Sequence, residues 1–121
     1  MLLVTSNKSR QLLCLTYAGH VRAAELERAG EEMKTLLAEL PRGFQLLVDL
    51  SSLDSMEMDC LKIIGQWMER LDQAGLALVV RVIPDPRKDL GFNILAVFHY
   101  AHRPRIMTCE KMSEAARHLG I

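Results

Sequence analysis

The chain has no excess of either charge: 15 Lys and Arg balance 15 Asp and Glu over 121 residues. Neutrality removes the general electrostatic pull toward nucleic acid or an anionic membrane surface. Cysteine is scarce, and Cys14, Cys60 and Cys109 stand far apart with no CxxC pair. An odd count at such spacing argues against a disulfide scaffold, fits a reducing compartment, and leaves the thiols as small buried apolar side chains. Aromatic residues make up only 5%, without the basic and aromatic interleaving of an RNA-binding sheet. Apolar runs such as Leu76 to Val80 fall far short of the roughly 20 residues that span a bilayer. The opening MLLVTSNKSR lacks a long apolar core with a small-residue cleavage site, so a soluble, cytoplasmic protein is expected, not an integral membrane one. A Gly-rich phosphate loop, a GxSxG elbow and a paired zinc motif are also missing, which leaves no motif for an enzyme or a cofactor.

Half of the residues are apolar and a quarter charged, the composition of an ordinary globular chain whose length suits one domain over residues 1–121. Leu2 to Thr5 and Gln11 to Tyr17 are short runs of strand formers separated by Ser6, Asn7, Lys8, Ser9 and Arg10, a pattern that predicts a hairpin. From Val21 to Leu40 the period changes. Leu26, Ala29, Met33, Leu36, Leu37 and Leu40 recur at helical spacing among glutamates, Arg28 and Lys34, which predicts an amphipathic helix stopped by Pro41 and Gly43. Phe44 to Leu50 is a buried strand with Asp49 inside it, and Ser51 to Ser55 is a loop. Leu61, Ile64, Trp67, Met68 and Leu71 trace a second helix ending near Gly75. LALVVRVI, Leu76 to Ile83, is a strand that Pro84 and Pro86 terminate. An aromatic helix over Leu90 to Ala101, a short strand over Ile106 to Cys109 and a last helix from Met112 complete the order ββαβαβαβα. Strands alternating with helices imply parallel pairs, so the expected α/β fold is a mixed sheet of four to five strands with about four helices.

This order, together with Asp49-Leu50-Ser51, resembles the STAS family, the sulfate-transporter and anti-sigma-factor-antagonist domains of the SpoIIAA-like superfamily. The family's centre is a strand ending in an Asp-Leu-Ser type triplet, followed by an Asp-Ser-Ser/Thr-Gly motif that opens a helix. By the family's spacing Glu57, Met58, Asp59 and Cys60 stand at the second motif. The resemblance implies a STAS-like fold over most of the chain and regulation of a signalling protein, anti-sigma-like or other. In antagonists a hydroxyl of that motif is phosphorylated. Asp59 offers none, and its carboxylate carries about one negative charge where a phosphate carries nearly two. Cys60 replaces the family's usual glycine.

The expected function is therefore non-catalytic protein binding through the loop and helix start, with Ser55, Glu57, Met58, Asp59, Cys60 and Lys62 as the contact residues. Capping of the helix that opens near residue 59 is by itself enough to explain Asp54, Glu57 and Asp59. Ser51, Ser52 and Ser55 are alternative phosphate acceptors. The alternative function is a carrier or sensor of a small apolar or anionic ligand, held by Arg87 and Lys88 beyond a strand's carboxyl end and by Phe92 on the next helix, with Arg103 and Arg105 as further cations. His99 and His102, three apart, lack further ligands for a metal. A homodimer is compatible with the sequence.

Overall fold

Leu13, Leu15 and Tyr17 lie two apart, the period of a strand with one covered face. The computed structural model describes residues 1–85, 95–97 and 99–121, and it places these three on the second arm of an antiparallel hairpin. β1 (Leu2–Asn7) pairs with β2 (Leu12–Val21) from Leu2↔Tyr17 to Asn7↔Leu12. The turn between them is one 3-10 turn, Lys8–Arg10, whose Arg10 N–H donates to the Asn7 side-chain oxygen, and Gln11 closes it at φ 54°.

Three parallel strands follow. α1 (Ala23–Ala38) leads to β3 (Gln45–Met56), α2 (Cys60–Gln73) to β4 (Leu78–Val82), and a stretch with helical residues 95–97 and 99 to β5 (Arg105–Cys109), after which α3 (Met112–Leu119) closes the chain. The sheet runs β1-β2-β3-β4-β5, antiparallel at β1 and parallel elsewhere. Each crossover steps one strand in the same direction, and right-handed connections then put α1, α2 and the stretch around residue 96 on one face. That face buries Leu26, Met33, Ile64, Trp67, Met68 and Leu71 against Leu13, Leu15, Leu46, Val48 and Val79. α3 covers the opposite face, where Ala115 and Leu119 meet Leu47, Val80 and Val82. Each large side chain so buried contributes roughly 1.5–3 kcal/mol before the entropy of ordering the chain.

Among the described residues the order of elements is the expected one, the helix expected over Leu90 to Ala101 lying largely outside them, and two boundaries need correction. Ser51 to Ser55, expected as a loop, belongs to β3, which continues to Met56. β4 pairs with β3 only as far as Asp49↔Val82, whereas β2 pairs with it from Leu12↔Gln45 to Val21↔Met56. Two register shifts, at Thr16/Ala18 and Gly19/His20, let the polar run stay in the ladder. Asp49 serves the first: its Oδ1 accepts from the Ser51 N–H at 3.0 Å and the Ser51 hydroxyl at 2.6 Å, which holds the extra residue of a bulge. Polar composition reads as loop because only Leu53 in this run is buried. Likewise Val21, expected to open α1, is the last residue of β2.

Glycine inside a helix costs roughly 0.5–1 kcal/mol against alanine, yet Gly65 is buried in the middle of α2. A Cβ there would stand 2.6 Å from His99 Nε2, while the other ring nitrogen, Nδ1, lies 2.8 Å from Glu69 Oε1. Gly65 is thus the seat of the His99 ring. Gly65→Ala is expected to lower stability in the native chain and to raise it, by up to about 1 kcal/mol, in a His99→Ala background. Urea unfolding of the four proteins measures this coupling, and stabilisation in both backgrounds would contradict the packing.

Candidate functional site

β3 delivers the chain to the amino end of α2, and backbone bonds fix the junction. The Glu57 N–H donates to Val21 O at 2.9 Å, Cys60 N–H to Glu57 O at 3.0 Å and Leu61 N–H to Met58 O at 3.1 Å. The last two are i→i+3 bonds that wind a tight first turn. Glu57 Oε1 accepts from the Ala23 N–H at 2.8 Å, satisfying one of the free donors at the start of α1. The capping expectation is corrected here. Glu57 caps α1 instead of α2, Asp54 lies inside β3, and Asp59 makes no side-chain cap bond among the described residues. A cap residue needs extended backbone to swing its side chain back, and Asp59 is already helical at φ −63°, ψ −19°.

The other expected contact residues divide between surface and core. Met58 is 81% exposed, and Asp59 and Lys62 are also on the surface. Ser55 is exposed on β3 with its hydroxyl 2.7 Å from His20 Nδ1. Cys60 is fully buried, its thiol 3.6 Å from Val21 O, so this side chain serves the core and not a contact surface. Burial, followed by the nearby Glu57 carboxylate, pushes the Cys60 thiol above its ordinary range. Burial raises Cys14 and Cys109 likewise, which leaves none of the three poised as a nucleophile near neutral pH.

Asp59 and Lys62 share a cleft of about 430 Å³ with Ala23, Glu27, Ile63 and Gln66, between the amino-terminal halves of α1 and α2. A second hollow of about 250 Å³ shares Glu27, Ile63 and Gln66 with it and runs on past Gly30 and Trp67 to Lys34 and Arg70. The sequence had no signal for this groove, because its walls come from two helices far apart along the chain.

On the ligand side, Arg87, Lys88 and Phe92 lie outside the described residues. A cleft of about 370 Å³ lined by Ala96, Val97, Tyr100, Arg103, Pro104 and Ile106 stands at the β5 edge. Inward of it, Arg81 is 1% exposed on β4. It borders a cavity of about 20 Å³ together with Tyr17, Trp67 and Tyr100, space for roughly one water. Burial pushes both phenols well above the ordinary tyrosine range; at Tyr100 the Arg81 charge opposes that shift. Asp72, 3% exposed near the end of α2, accepts from the His102 backbone N–H at 3.2 Å and lies 2.7 Å from His102 Nδ1. Among the described residues no three His, Cys, Asp or Glu gather as a metal site. Arg81 and Asp72 were missed by sequence reasoning. A lone arginine in the apolar run LALVVRVI was the available signal, since buried charge is rare without partners.

No protein-family model and no curated protein matches the sequence. Solved structures match in fold. A protein of the DUF3478 family with a SpoIIAA-like fold from Shewanella loihica PV-4 superposes with a TM-score of 0.76 at 12% identity, covering 98% of this chain and 92% of that one. The Bacillus cell fate determinant SpoIIAA in its phosphorylated form gives 0.65 at 15%, covering 98% and 99%. An anti-sigma factor antagonist from Mycobacterium paratuberculosis gives 0.61 at 17%, covering 100% and 94%. The chain therefore has the SpoIIAA-like fold that the resemblance implied: a mixed α/β domain built on a five-stranded sheet. Among the described residues no helix is long and apolar enough to cross a membrane.

Asp72 ties residue 102, and with it the approach to β5, to α2. Asp72→Ala is expected to cost about 2 kcal/mol, because the His102 backbone N–H and ring both lose a buried carboxylate, and Asp72→Asn less. Thermal unfolding checks this, and an unchanged midpoint in Asp72→Ala would contradict the role.

Proposed function

We propose that the chain is a regulatory, non-catalytic module that binds a protein partner at the start of α2, through Ser55, Met58, Asp59 and Lys62, with Glu57 holding the turn from behind. The observation that carries this reading is the presentation of Met58, 81% exposed, on a turn fixed by three backbone bonds and by the Glu57 cap. A large apolar side chain held in one place, flanked by charge, is a docking feature that costs little entropy on binding. The solved structures of similar fold include an anti-sigma factor antagonist and a phosphorylated cell fate determinant, which supports regulation by protein contact. By the family's spacing Asp59 takes the place of the modified hydroxyl, so the charge here is permanent and the contact does not wait on a kinase. Three free cysteines support a reducing compartment such as the cytoplasm, and the burial of Cys60 and Cys109 supports a non-catalytic role.

The test compares wild type, Met58→Asp, Asp59→Ser and Asp59→Lys as baits in extract of the native host. Wild type should retain a specific partner, and Met58→Asp and Asp59→Lys should retain it at least tenfold less, with stability changed by no more than about 0.5 kcal/mol, as for other surface substitutions. Equal retention by all four baits would refute the reading.

A second reading, a carrier of a small apolar anion, is favoured by one observation: Arg103 faces the cleft that Val97, Tyr100, Pro104 and Ile106 make apolar. Native mass spectrometry of protein purified from its own host should then show an added mass that Arg103→Glu removes. An apo mass alone would count against it.

A further inference from the structure

We propose that the groove between α1 and α2 receives an amphipathic helix of the partner protein, acidic along the flank that meets α2 and basic along the flank that meets α1. The proposal rests on the docking reading above and names what the partner brings.

Three properties of the groove lead there. The middle of its floor is apolar and narrow, made by the half-buried Ala23 and Gly30 from α1 and Ile63 from α2, with Leu26 and Trp67 buried beneath them. Its walls differ in charge. Glu27 and Glu31 stand on the α1 side, and Lys62 and Arg70, with Gln66 between them, on the α2 side. Each wall ends in the opposite sign, with Lys34 held by Glu31 at 3.2 Å at the far end of α1 and Asp59 at the near end of α2. Its length is set by α2: from residue 59 to residue 70 at about 1.5 Å per residue it runs about 16 Å, three turns of a helix.

The chemistry of the occupant follows. Both walls are helices, whose backbone groups are already paired, so an extended peptide would find no strand edge to join; an apolar helical stripe does fit such a groove. A second copy of this chain fits less well. Its own α1–α2 face is concave, and two concave faces meet only at their rims. A helix with one acidic and one basic flank pairs with both walls at once. Turning that helix end for end would set like charges against each other, so the two walls also fix the direction in which it lies.

Trp67, the only tryptophan in the chain, lines the floor and reports occupancy by its fluorescence. Three helical peptides of about 18 residues share one leucine stripe and differ in their flanks: Glu on one and Lys on the other, Lys on both, or Glu on both. The mixed peptide should shift Trp67 emission and bind roughly tenfold more tightly than either of the others. In the double variant Glu27→Lys, Glu31→Lys the mixed peptide should lose about tenfold and the all-Glu peptide should overtake it. Circular dichroism and sedimentation accompany each protein. Unmoved emission with all three peptides, or the same ranking in both proteins, overturns the proposal. So does a wild-type dimer that the double variant dissociates, since the second copy would then be the occupant. If the captured partner is lost by Asp59→Lys but kept by Glu27→Lys, Glu31→Lys, the docking reading stands and the groove falls. If both variants keep it, the docking reading falls as well.

Discussion

The pairing of β2 with β3, continued to Val21↔Met56 past the last rung of β4, is the constraint on which the geometry of the site depends. It carries a polar stretch of chain, Ser51 to Met56, to the place where α2 begins. At that point Val21 receives the Glu57 N–H, Cys60 directs its thiol at the same Val21 carbonyl, and Glu57 reaches Ala23. The end of β2, the start of α1 and the start of α2 are therefore joined in one knot of polar contacts. Asp49 contributes from a distance by holding the bulge that keeps β3 in register. Shortening or slipping this ladder by one residue would turn Leu53 out of the core and move Met58 and Asp59 with it.

The apolar periodicities made the element order legible, because burial on one face is what a period of 2.0 or 3.6 records. Leu26, Met33 and Leu37 mark α1, and Val79 and Val80 mark β4, in the sequence alone. Ser51 to Ser55 failed for the same reason. Apart from Leu53, those residues are in a strand through backbone pairing alone, and side-chain pattern has nothing to say about a rung whose side chains face water. Met58 and Asp59 stand out through a likeness to STAS domains, Lys62 follows them on the helix start, and all three lie on the surface. Cys60 is buried as a small apolar side chain and not a contact residue, because a family motif marks the helix start without saying which of its residues the helix turns inward. Glu57 was recognised as a capping residue, but its helix was the neighbouring one, which only tertiary packing decides.

Two polar groups in the core point to a further division of labour. Arg81 and Asp72 are nearly inaccessible to water, a costly placement that demands partners. Asp72 holds His102, and Gly65 gives way to His99. The chain leading into β5 is thus fastened to α2 on the side away from α1, and the α1 side of the same helix is left open as a charged groove. One helix has a structural flank and a free flank, and its amino end lies nearest the free one.

The most direct measurement of this account is hydroxyl-radical footprinting of the seven methionines in the folded protein. Met58 should oxidise at a rate comparable to Met1 and Met112, while Met33 and Met68, at 0% and 4% exposure, should be protected. Protection of Met58 to the level of Met68 would contradict the account, because the start of α2 would then be covered within the molecule and closed to a partner.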